Sequence, residues 1–136
     1  MTRLLTTRTA AYLLLAIFGA TILFHLTILV GLIPYQVVWG GKLQSQTQMV
    51  AFEIISIAVN LLMLGIVAAY AGLVRLAIKP KLLKGLLWAM CGLFVLNTAG
   101  NLLSENEMEK AVFTPVTLLL ALLCLRLALE KQPAIV

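Results

Sequence analysis

Apolar positions gather into four long runs along the chain, at about 9–33, 49–78, 81–103 and 105–129, with polar positions between the runs and only sparsely inside them. A helix that crosses a bilayer needs about 20 mostly apolar residues, and each run is long enough. The breaks carry helix-ending chemistry. Pro34 pushes the residue before it out of the helical region, and Pro80 within Lys79-Pro80-Lys81 closes the second run and suits the first position of the next helix. Ser104-Glu105-Asn106-Glu107 has the S-x-x-E form of a capping box. The pattern predicts an all-α, four-helix transmembrane bundle forming one domain over 1–136, with a long connection at 34–48. There Tyr35 and Trp39 suit a headgroup interface, Gly40-Gly41 marks a turn, and the length suits a lid or an interfacial segment. A signal peptide also starts with basic residues, but the first run is too long for one and no small-x-small site closes it. There is no internal repeat and no low-complexity segment.

Within the runs, a few polar residues recur at helical spacing. Phe52 to Asn60 reads FEIISIAVN and places Glu53, Ser56 and Asn60 three and four apart, on one helix face. The first run carries Thr21 and His25, the third Asn97, Asn101 and Ser104, and the fourth Thr114 and Thr117. Small residues form two further stripes, Gly65-Ala69-Gly72 and Thr114-Thr117-Ala121-Cys124-Ala128, of the kind that lets helices approach closely. Pro115 removes a backbone donor inside the fourth run and predicts a kink there.

Composition agrees with the membrane reading: 62% of residues are hydrophobic and 11% charged, against about 25% charged in soluble domains. The net charge of +5 does not point to nucleic acid, because the basic residues flank the apolar runs. Arg3, Arg8, Arg75, Lys79, Lys81, Lys84, Arg126 and Lys131 fall on one side of a four-span topology, and Lys42 and Lys110 on the other. By the positive-inside rule both termini are expected in the cytoplasm of a cell with the chain in its inner membrane. At 1.5 Å per residue, His25 then lies about 12 Å below the outer end of the first run. Glu53 lies about one turn into the second run and Asn60 about three, so the polar residues of all four helices share the outer half.

Groups of this kind are costly in hydrocarbon and usually serve a purpose. The leading expectation is an outward-facing intramembrane site that binds or transports a small molecule, ion or lipid. Its residues are His25, Glu53, Asn60, Asn97, Asn101 and Thr114, with Trp39 from the connection. One alternative is a structural or accessory subunit whose polar cluster only holds the helices together. Another is an intramembrane enzyme using His25 and Glu53 as an acid–base pair. One histidine and two isolated cysteines, Cys91 and Cys124, give too few ligands for a metal and no redox motif. No cofactor is expected, and the partners expected are the lipid bilayer and a second copy or another membrane protein.

The segments GLIPYQVVWGG (31–41), FEIIS (52–56), NTAGNLLS (97–104) and EKAVFTPVT (109–117) resemble a group of small four-span bacterial integral membrane proteins with no assigned activity. The resemblance implies the topology and no chemistry. Small multidrug transporters also have four short spans and one membrane glutamate, but theirs is on the first helix and Glu53 is on the second.

Overall fold

A computed structural model describes residues 5–131; Arg3 lies outside them. It contains four helices, α1 (Thr7–Leu29), α2 (Gln46–Tyr70), α3 (Pro80–Leu102) and α4 (Glu107–Ala128), and no strand among the described residues. All four are long and apolar enough to cross a membrane. The all-α, four-helix transmembrane bundle expected from the pattern is the architecture observed.

The helix ends differ from the ends of the apolar runs, and the chain's own chemistry explains why. α1 stops at Leu29, short of Ile33, because Gly31 adopts a left-handed conformation (φ 82°). Gly31 N–H donates to Ile28 O at 3.0 Å and Leu32 N–H to Thr27 O at 2.9 Å, the paired bonds of a Schellman end. α2 ends the same way. Gly72 has φ 66°, its N–H donates to Ala69 O at 3.1 Å, and Leu73 N–H reaches Ala68 O at 2.9 Å. The second span therefore ends at Tyr70 rather than at Ile78, and Gly72 is a helix terminator rather than part of a packing stripe. A side chain placed on Gly65 would meet nothing within 4 Å, so no helix approaches there either.

The helix starts are set by caps. Ser45 Oγ accepts from Gln48 N–H at 3.1 Å and Gln48 Oε1 accepts from Gln44 N–H at 2.9 Å, starting α2 three residues before the expected Met49. α3 begins at Pro80, where a proline loses nothing because the first helical N–H has no partner in any case. For α4 the cap is Asn106, whose Oδ1 accepts from Met108 N–H and Glu109 N–H, both at 3.1 Å. The expected Ser104–Glu107 box does not form. Ser104 Oγ instead accepts from Asn106 N–H and donates to Glu109 Oε2 at 3.4 Å. α4 continues through Pro115.

The helices pair as two hairpins, α1 with α2 and α3 with α4, joined mainly along α1 and α4; α2 and α3 barely touch. The main core fills the half of the bundle nearest the termini, with Leu14 and Phe18 from α1, Val67 from α2, Leu87 and Phe94 from α3, and Leu123 and Leu127 from α4. Phe18 and Phe94 meet with ring centres 5.9 Å apart. The stripe Thr117-Ala121-Cys124-Ala128 is buried and does serve as a packing face. At this end Arg126 Nε donates to Leu5 O at 3.1 Å and its Nη1 pairs with Glu130 at 2.9 Å. Lys84 Nζ donates to Glu130 O at 3.2 Å. The start of α1 and the end of α4 are thereby tied together, and the basic residues of the α2–α3 connection lie at the same end.

At the opposite end the 34–45 connection is folded onto the bundle. Val38 and Leu43 from the connection are buried with Ile28 and Met49, and Phe24, Ile33 and Tyr35 pack around them. Two 3-10 turns, Tyr35–Val37 and Trp39–Gly41, shape it. This lid sets the position of Trp39.

Candidate functional site

Trp39, Gly40 and Gly41 are three successive left-handed residues, with φ 55°, 64° and 69°. Glycine accepts this conformation freely, whereas for an L-residue with a side chain it costs about 1–2 kcal/mol. Trp39 is the one non-glycine residue with positive φ among those described. The conformation turns its indole inward, where Nε1–H donates to Glu53 Oε1 at 2.7 Å. The ring packs edge-on against Phe52 at 5.2 Å and beside His25 at 6.3 Å. Backbone strain sustained by such contacts is a recurring feature of functional sites.

Glu53 is fully buried, and its second oxygen, Oε2, lies 2.6 Å from His25 Nδ1. Both carboxylate oxygens are therefore engaged, one by the lid and one by α1. A buried net charge is far more costly than a neutral pair. The pair is neutral as carboxylate with imidazolium, and equally as carboxylic acid with imidazole. In both arrangements His25 Nε2 carries a hydrogen, and that nitrogen makes no hydrogen bond among the described residues.

The helix ends change the depths of this pair. α1 ends four positions beyond His25, so the imidazole is about 6 Å from the helix end rather than 12. Glu53 is seven positions beyond Gln46, about 10 Å into α2 rather than one turn. The two errors have opposite signs, and the side chains meet.

His25 and Trp39 form part of the wall of a cavity of about 490 Å³ between the four helices. Asn60, Asn97 and Asn101 line it as well, but each is engaged differently. Asn60 Nδ2 donates to Ser56 O of its own helix at 2.8 Å. Asn101 Nδ2 donates to Thr117 Oγ1 at 3.3 Å. Asn97 is exposed and makes no hydrogen bond among the described residues. Glu53 does not line the cavity; it stands behind His25 and Trp39. Thr114 does not line it either, and its hydroxyl is buried without a hydrogen-bond partner among the described residues. Thr117 takes the place expected of Thr114. Its Oγ1 accepts from Thr98 Oγ1 at 3.0 Å and from Asn101, and donates to Phe113 O at 2.8 Å.

Glu109 and Gly100 also line the cavity, and neither was among the expected site residues. Glu109 had a visible signal. With Phe113, Val116, Thr117 and Leu120 it recurs at helical spacing on α4, and all five line the cavity. Its place among three glutamates at a helix start pointed instead to the helix dipole. Gly100 is a helical glycine whose added Cβ would meet nothing within 4 Å, which leaves open space at the α3 wall. Among the described residues no group of three or more His, Cys, Asp and Glu side chains is placed to hold a metal ion.

No protein-family model, curated protein or solved structure matches this chain.

Proposed function

We propose that this chain, a multi-pass membrane protein with four spanning helices, binds a small molecule in the cavity beside His25. The observation that supports this most directly is the pairing of a fully buried, doubly hydrogen-bonded Glu53 with a His25 that lines a cavity of about 490 Å³. Polar contacts between membrane helices average only about 0.6 kcal/mol, a small return for burying a carboxylate and straining Trp39. The arrangement does hold the imidazole in one orientation at the edge of a space large enough for a ligand, since ligand pockets run from about 300 to 1,000 Å³. His25 Nε2–H and Asn97 would contact the ligand, Glu53 and Trp39 would orient His25, and Asn60, Asn101 and Thr117 would shape the wall.

The positive-inside rule supports placing the basic end in the cytoplasm of a cell, with the lid and the cavity toward the outer face. With that orientation the ligand would come from the extracellular side or from the outer leaflet.

The test is native mass spectrometry of the protein extracted in mild detergent, comparing wild type with Gly100→Leu. The new side chain starts in open space at the α3 wall and favours the helix. Wild type should retain a non-protein mass that the variant lacks. Equal retention by both, or none by either in extracts that keep their annular lipid, would remove the basis for a binding role.

A further inference from the structure

The cavity has a side opening, and its chemistry narrows what could pass through it. Ile55 and Val59 on α2 and Leu93 and Leu96 on α3 line the cavity, yet they are 63%, 40%, 40% and 70% exposed. The cavity is open to the outside rather than enclosed, and these exposed lining residues flank the seam where α2 and α3 barely touch. All four are aliphatic and lie within helices that cross the membrane by length and composition. A mouth of this kind meets hydrocarbon rather than water.

The inner wall is different. His25, Asn97 and Asn101 offer N–H donors, and Glu109 offers a carboxylate. No lysine or arginine among the described residues lines the cavity. Lys110 pairs with Glu107 at 3.7 Å, and Lys42, though its Cε and Glu109 Oε2 both come within 4 Å of where a Gly40 Cβ would stand, is outside the cavity lining. An anionic head would therefore be desolvated opposite the Glu109 carboxylate with no lysine or arginine in the lining to pair with.

Resting on the binding role argued above, we infer that the cavity takes an amphiphile directly from the bilayer. It enters between α2 and α3, its chain stays in the seam, and its hydrogen-bonding head, which carries no negative charge, reaches His25 and Asn97. An uncharged hydroxyl- or amide-bearing head satisfies every polar group named. The lid forms the roof of the site and keeps the head from the aqueous face, and the absence of close α2–α3 packing leaves the chain room without unfolding either hairpin.

The full chain carries its own reporter. It has two tryptophans, and Trp88 on α3 is exposed and outside the cavity, so Trp88→Phe leaves Trp39 alone. Bromine quenches indole fluorescence on close contact. In nanodiscs of zwitterionic lipid, three probes brominated near the polar end are titrated: a monoacylglycerol, an alkyl sulfonate of equal chain length, and a short water-soluble alcohol. The monoacylglycerol should quench Trp39 saturably. The sulfonate should require about tenfold more, and Gly100→Leu in the Trp88→Phe background should abolish saturation. Equal quenching by monoacylglycerol and sulfonate would overturn the head assignment. Quenching that rises linearly with probe and is unchanged in Gly100→Leu would overturn lateral entry. If only the alcohol saturates, the binding role stands and the amphiphile does not. If no probe saturates, both fall.

Discussion

His25 Nδ1 and Glu53 Oε2 lie 2.6 Å apart, a contact that joins α1 to α2 across 28 positions of sequence. The other carboxylate oxygen accepts from Trp39 at 2.7 Å, so one buried side chain ties α1, α2 and the lid together. Replacing Glu53 by alanine would leave Trp39 Nε1–H and His25 Nδ1, both part-buried, without their partner, at about 1–3 kcal/mol each. Glutamine keeps the shape: its carbonyl can accept from Trp39 while its amide donates to Nδ1 of the neutral imidazole, whose hydrogen is on Nε2. Unfolding in detergent micelles should find Glu53→Ala less stable than wild type by several kcal/mol and Glu53→Gln by roughly half as much. An alanine variant as stable as wild type would contradict the assigned contacts.

Trp39→Phe separates the indole N–H from the ring. Phenylalanine retains the apolar contact with Phe52 and the strained backbone, but leaves Glu53 Oε1 without its donor. The expected loss is about 1–3 kcal/mol, read from the same unfolding curves, with the accessibility of the lid to limited proteolysis rising in parallel.

The glycines divide into two groups with opposite expectations. Gly31, Gly40, Gly41 and Gly72 hold φ between 64° and 82°, so alanine at any of them should cost about 1–2 kcal/mol. Gly65, Gly85 and Gly100 are helical with open space around the missing Cβ, so alanine should be neutral or stabilising by up to about 1 kcal/mol. Thermal midpoints of the single variants provide the comparison. Destabilisation by Gly65→Ala would mean that a helix from a second copy packs there.

Thr114 and Thr117 lie one turn apart and should respond oppositely to valine. Thr114 Oγ1 is buried without a hydrogen-bond partner among the described residues, so removing its hydroxyl should be neutral or stabilising by about 1 kcal/mol. Thr117 Oγ1 accepts from Thr98 and Asn101, so Thr117→Val should cost about 1–3 kcal/mol. Chemical denaturation of the pair of variants in micelles checks the sign.

The spans were legible because hydrocarbon tolerates little besides long apolar runs, and Pro80, suited to a first helical position, is where α3 starts, one residue before the apolar run. The ends of α1 and α2 were not, since a Schellman turn is made by one glycine in an apolar context, and Leu32, Leu73 and Val74 beyond it look like more helix. Depth along the helices pointed to His25 and Glu53, and the lid-like connection to Trp39. Depth could not tell Thr114 from Thr117, because both sit on the α4 face that turns inward and only the rotation of α4 against α3 decides between them. Nor could it assign Glu53 to a place behind the wall rather than on it, since that depends on how far the lid folds down.

The division of labour among the helix pairs also bears on how the chain could be cut. The 71–79 connection joins hairpins that share little contact between α2 and α3, and the hairpins meet instead through α1 and α4. Each half carries its own turn and its own close pairing, while the Arg126–Leu5 bond and the main core belong to the seam between them. Residues 1–75 and 76–136 supplied as separate chains thus have the interfaces needed to recombine, with the connection serving as a tether rather than a structural member. The polar site would then be shared out: His25, Trp39 and Glu53 on one fragment, Asn97, Asn101 and Glu109 on the other, complete only when both are present.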